Sequence, residues 1–141
     1  MVEVDLTKRT NLTVGGIFIG HIRIMIIDYN CPFTFSARQF LTSMAAIEEV
    51  FIINDYSAAL QAAGEKKPDI IILNRKLMGK DAFGLCNQLK TKIDSDNVKI
   101  FGLTLFGDQS SRKFFRDKGF DGMVSRENFW VDIMALIQLF V

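Results

Sequence analysis

A chain of 141 residues has room for one domain, and folding can bury about two-thirds of the surface that its unfolded form exposes. With 49% hydrophobic and 23% charged residues, the composition is that of a globular protein and not of a disordered one. The 17 Lys and Arg against 16 Asp and Glu leave a net charge of +1, which gives no footprint for nucleic acid and none for an anionic membrane surface.

The N-terminal Met-Val-Glu-Val-Asp-Leu lacks the basic head and apolar run of a signal peptide. Val14 to Ile27 is the longest nearly apolar stretch, but three glycines, His21 and Arg23 interrupt it too often for a membrane span. Residues 1–21 precede the regular pattern and are expected to form an arm or short hairpin; residues 22–141 are expected to form the domain. Ile22–Ile27 is a first buried strand ending at Asp28. Ala37, Phe40, Leu41 and Met44 then recur at helical spacing, with Pro32 suited to the first turn. Val50–Ile53 is a short second strand. Ser57–Glu65 is an Ala-rich helix stopped by Lys66-Lys67-Pro68, because proline disfavours helix in the residue before it.

Ile70–Leu73 is the third strand and the most continuously aliphatic. Asp81 is expected to cap a helix with Ala82, Cys86, Leu89 and Ile93 on its inner face. The polar turn Asp94–Asn97 leads to a fourth strand, Val98–Thr104. Asp108–Lys118 is a charged helix carrying Phe114 and Phe115, closed by Gly119 as a left-handed cap. Gly122–Ser125 is a brief fifth strand, and a last helix runs from Glu127. Cys31 and Cys86 stand far apart with no CxxC, so neither zinc nor a disulfide is indicated. Reduced thiols in a cytoplasmic setting are expected.

Alternating strands and helices with non-alternating aliphatic strands imply a parallel sheet covered on both faces. For five such units the doubly wound, flavodoxin-like (βα)5 order 2-1-3-4-5 is expected. Ligands in such sheets sit at the carboxyl ends of the strands. Gly15-Gly16 and Gly20 have the wrong spacing and place for a dinucleotide loop, and no P-loop lysine precedes a Ser or Thr. The lone His21 precedes the first strand and reads as a surface or packing residue. No cofactor, no metal and no enzymatic activity are expected.

The residues at the strand ends resemble the acceptor pocket of the response-regulator receiver family, whose CheY-like fold is the (βα)5 order above. The resemblance covers about residues 22–141. Receivers carry an acidic pair after the first strand; this chain has Asp28-Tyr29. They carry an acceptor aspartate after the third strand; here Pro68-Asp69-Ile70-Ile71-Ile72-Leu73 ends in Asn74. Leu77-Met78-Gly79-Lys80-Asp81-Ala82 occupies the loop that follows. Thr104 keeps the hydroxyl that closes the fourth strand. The fifth-strand signature, Gly-Ala-x-Gly-Tyr-x-x-Lys-Pro in the family, reads Gly119-Phe120-Asp121-Gly122-Met123-Val124-Ser125-Arg126-Glu127.

The resemblance implies the receiver fold but not receiver chemistry. Phosphoryl transfer would need a carboxylate nucleophile and Mg²⁺, and Asn74 supplies no anionic oxygen. With Tyr29 and Asn74 in place of acids, Asp28 is left as the one expected carboxylate ligand. Arg126 either pairs with Asp28 or points to solvent. Thr104 is either the remnant of the family's switch or a strand-ending β-branched residue, and Met123 occupies the aromatic switch position. Asp28, Tyr29, Asn74, Thr104 and Arg126 thus form a vestigial acceptor pocket.

The expected function is that of an atypical, phosphorylation-independent receiver-like regulatory domain in two-component signalling, acting through a protein partner or self-association. The alternative is a small-ligand or anion sensor using the remodelled pocket. The interaction surface is expected to include Phe114 and Phe115, of which one packs inward and one lies near the rim. It also includes the last helix, which is apolar almost all round. There Trp130, Ile133, Met134 and Ile137 are expected to face the sheet, leaving Leu136, Leu139 and Phe140 outward. An N-terminal arm, or chain beyond Val141, would be other ways of covering them.

Overall fold

The computed structural model describes residues 11–14, 17–76, 82–93, 97–107 and 109–140; for residues 11–14, 17–19 and 140 the description is of backbone only. β1 (Asn11–Val14) and β2 (Ile17–Gly20) pair antiparallel as a hairpin. Five parallel strands follow in the order β4-β3-β5-β6-β7. These are β3 (Ile22–Ile27), β4 (Ile47–Ile53), β5 (Ile70–Asn74), β6 (Lys99–Thr104) and β7 (Gly122–Ser125). Numbered within this sheet, the order is the 2-1-3-4-5 that the alternation of elements predicted.

The central strands divide their side chains between two cores, as a sheet covered on both faces requires. Ile22, Ile24 and Ile26 of β3 join Ile70 and Ile72 of β5 beneath α1 (Cys31–Thr42) and α5 (Phe129–Ile137). Met25 and Ile27 join Ile71 and Leu73 on the other face. That face is covered by α2 (Tyr56–Lys66), α3 (Ala82–Lys92) and α4 (Gln109–Asp117).

Local chemistry sets the helix ends. Asn30 caps α1, its side chain accepting from Phe33 N at 3.1 Å, and Pro32 sits in the first turn. Asp55 caps α2 by accepting from Ser57 N at 3.0 Å. Lys67 ends that helix in the left-handed conformation at φ 50°. Gly119 follows α4 at φ 96°, the positive φ that favours glycine. Gly102 allows a close approach, because a Cβ there would run into the ring of Phe115. Asp81, Asp108, Gly15 and Gly16 lie outside the described residues.

Two expectations need correction. The second strand of the parallel sheet starts at Ile47, not Val50: Glu48 and Glu49 lie on its exposed edge and pair with Arg23, at 3.2 and 3.7 Å. Charges on an edge strand are compatible with β structure and discourage pairing with another chain. On α5 the buried residues are Phe129, Ile133, Leu136 and Ile137, whereas Trp130 and Met134 are 42% exposed. The helix is therefore rotated from the expected register, and Leu136 belongs to the core. On α4 Phe115 is fully buried and Phe114 lies at the rim, the division expected of this pair, so of the two Phe114 alone remains on the outer surface.

Burial raises the pKa of the Cys86 thiol to about 11, while Cys31 is exposed. Among the described residues, no helix is long and apolar enough to cross a membrane.

Candidate functional site

Asp28 leaves the end of β3 almost completely buried, 1% exposed, at the carboxyl edge of the sheet. A bare carboxylate there would be costly, and four donor contacts offset the cost. Arg126, directly after β7, places Nη2 at 3.0 Å from Oδ1 and 2.8 Å from Oδ2. Asn74, the last residue of β5, donates from Nδ2 to Oδ1 at 2.6 Å. The backbone N–H of Asn30 donates to the same oxygen at 3.2 Å.

The strands deliver these groups with fixed backbones. Asp28 N donates to Ile53 O at 3.0 Å, and Arg126 N donates to Thr104 O at 2.8 Å. The guanidinium of Arg126 also lies over an aromatic face, 5.2 Å from the centroid of the Phe33 ring. Asn74 is 6% exposed, and its Oδ1 accepts from Lys76 N at 2.9 Å. Both ends of the Asn74 amide are thus engaged, one by a carboxylate and one by the backbone.

The resemblance to receivers raises the question of Mg²⁺, and this donor set does not fit it. A hard divalent cation needs several oxygen ligands, preferably anionic. Asp28 already holds a guanidinium and an amide N–H. A metal would have to displace the cation of Arg126 and then find Asn74 and Tyr29 instead of carboxylates.

Other named residues are placed differently. Tyr29 is 42% exposed and lines a cavity beside the Asp28 cluster. Thr104 lines the same cavity. Met123 is 7% exposed and packs in the core under α2, α3 and α4. Phe114 borders Phe83 at 5.3 Å between ring centroids and lies under Arg75 at 5.1 Å. Leu139 is strongly exposed beyond α5; the side chain of Phe140, and the loop Leu77–Asp81, lie outside the described residues.

The cavity has a volume of about 450 Å³ and opens between the ends of β5, β6 and β7. Arg75, Lys76, Leu105, Phe106 and Ser111 also line it; the first three stand at strand ends, where ligands are expected in such a sheet, while sequence reasoning singles out neither Phe106 nor Ser111. The available signals were two successive cations directly after the third parallel strand, and Leu105-Phe106 left in a loop. Asp132 of α5 was also missed. Its Oδ2 accepts from Ser125 N at 2.9 Å and Ser125 Oγ at 3.0 Å, fixing the end of β7 from which Arg126 projects.

The sequence matches no protein-family model and no curated protein. Solved structures do resemble the fold. The signal receiver domain of a DNA-binding response regulator from Colwellia psychrerythraea is 21% identical, with a TM-score of 0.71 over 84% of this chain and 97% of that one. The beryllofluoride-activated receiver domain of Klebsiella pneumoniae RstA gives 18% identity and a TM-score of 0.71 over the same shares. The response-regulator domain of Thermotoga maritima CheB gives 12% and 0.71, over 84% of this chain and 95% of that one. With its strand order, its helices on both faces and these likenesses, the chain has the fold of response-regulator receiver domains.

Proposed function

We propose that this chain is a receiver-fold regulatory domain of two-component type that works without aspartyl phosphorylation and acts by contact with a protein. The observation that carries this reading is the engagement of Asp28 by both Arg126 and Asn74. The carboxylate that would hold metal is neutralised by a cation, and the group at the end of β5 is an amide. An amide nitrogen donating to a carboxylate is a poor nucleophile toward a phosphoryl group. Residues 22–141 are the working unit on this reading, and residues 1–21 its N-terminal extension.

The contact surface we assign to the outer side of the last helix, where Trp130, Val131, Met134 and Leu139 are exposed. The net charge of +1 favours a protein over nucleic acid as the partner. The test is incubation with acetyl phosphate and Mg²⁺, followed by intact mass and peptide mapping. No adduct is expected on the wild-type chain. A stoichiometric phosphoryl adduct on any aspartate of the pocket would refute the reading.

A second reading, a small-ligand or anion sensor, is favoured by one specific observation. The cavity beside the Asp28 cluster carries the cations Arg75, Lys76 and Arg126 in its lining and is of a size that small ligands fill.

A further inference from the structure

The cavity is mixed in chemistry. Its lining includes the cations Arg75 and Lys76 and the hydroxyl residues Thr104 and Ser111. It also includes Leu105 and Phe106, which are 54% and 61% exposed. Among the described lining residues none is acidic. Asp28 offsets Arg126, whereas Arg75 and Lys76 have no ion pair among the described residues. Arg126 also keeps a buried Nε–H with no hydrogen-bond acceptor among the described residues, a donor left over after Asp28 is satisfied.

The backbone that carries these groups is held in place before any ligand arrives. Arg75 N donates to Leu103 O at 3.0 Å, Lys76 N to Asn74 Oδ1 at 2.9 Å, and Glu127 N to Leu105 O at 3.1 Å. The Arg75 guanidinium is further supported by the Phe114 ring below it. Such preorganisation lowers the ordering cost of binding. The volume of about 450 Å³ lies within the range of about 300–1,000 Å³ usual for small-molecule pockets, and it leaves most of the space unfilled by an inorganic anion alone.

We propose that this cavity binds an organic anion, a phosphate or carboxylate group on a flat apolar body. The anion sits against Arg75, Lys76 and the two hydroxyls, and the body sits against Leu105 and Phe106. The inference rests on the second reading above and deepens it by naming the ligand class.

The test is calorimetric titration of the full chain, in EDTA, with phenyl phosphate, benzoate, inorganic phosphate and phenol. Phenyl phosphate is expected to bind about tenfold or more tightly than either inorganic phosphate or phenol, with benzoate also binding. The R75Q/K76Q double variant should lose about tenfold or more in affinity for phenyl phosphate. F106S should bring phenyl phosphate close to inorganic phosphate while leaving inorganic phosphate unchanged. Circular dichroism and thermal midpoints establish that these variants of exposed residues are folded. Absence of binding by phenyl phosphate, equal affinity for phosphate or phenol, or an unchanged double variant would each overturn the proposal. EDTA removes metal-dependent labelling from the titration. A failed titration therefore leaves the acetyl phosphate result, on which the phosphorylation-independent reading depends, untouched.

Discussion

Asn74 and Lys76 stand two residues apart at the carboxyl end of β5, yet their surroundings differ in kind. Asn74 is buried, with its Nδ2 on Asp28 and its Oδ1 on the Lys76 backbone. The Lys76 side chain is exposed on the cavity lining and has no ion pair among the described residues. The first environment resembles a protein core in which every polar group must be satisfied. The second resembles a binding surface, where charge is displayed. The difference teaches that one strand end can carry two kinds of environment: the inner residue is structural while the outer one displays its charge. On this view the inner residues are expected to govern stability and the outer residues to govern affinity.

The largest effect is expected from Arg126→Met, which leaves Asp28 buried with only amide donors. Breaking a buried pair from one side should destabilise by about 3 kcal/mol, read from urea denaturation. Adding Asp28→Asn to that variant should recover part of the loss, since the two side chains share one interaction. Simple additivity would merge the inner residues with ordinary surface positions and break the comparison.

Asn74→Asp should have the next largest effect. It removes the N–H donor from Asp28 and sets a second carboxylate against it, at a cost of about 1–3 kcal/mol near neutral pH. Like-charge repulsion disfavours the doubly ionised pair, and protonating either carboxylate relieves it. Stability of this variant relative to wild type should therefore fall as pH rises through the carboxylate range and recover on acidification. Denaturation at several pH values measures this. The same variant should still take no label from acetyl phosphate, because Tyr29 and the Arg126 pair still oppose metal.

The smallest effect should come from Arg75→Gln with Lys76→Gln. Both side chains are exposed and make no ion pair among the described residues, so with the Arg75 contact on the Phe114 ring lost the change in stability should stay within about 1 kcal/mol. A larger loss in urea denaturation would show that the outer cations also hold the fold together.

Much of this architecture was readable from residue pattern alone. Ile70-Ile71-Ile72-Leu73 has no polar alternation, and only a strand buried on both faces explains that. Asp28 and Arg126 each follow a strand of one parallel sheet, so their side chains had to arrive at the same edge. The orientation of α5 was not readable in that way. Phe129 to Ile137 is so apolar that several registers bury comparable surface, and Trp130 with Met134 fits helical spacing as well as Phe129 with Ile133. Asp132 breaks the tie. Once it is seen to accept from Ser125 N, Phe129, Ile133 and Leu136 must turn inward. The cavity was unreadable for a different reason: Arg75, Phe106 and Ser111 come from three separate segments, and their convergence depends on the path of the loops.

The bond between Asp28 and Arg126 spans 98 positions of sequence. As the chain leaves the ribosome, β3, β4 and β5 are complete long before Arg126 exists. Pairing these strands early would bury Asp28 while its counter-charge is still unmade, so a partial sheet meets an electrostatic penalty that the finished sheet does not. The penalty ends only when the fifth parallel strand is in place. Arg126 thereby links the first strand of the sheet to completion of the last, and it favours all-or-none folding over the accumulation of a half-built sheet with a bare edge.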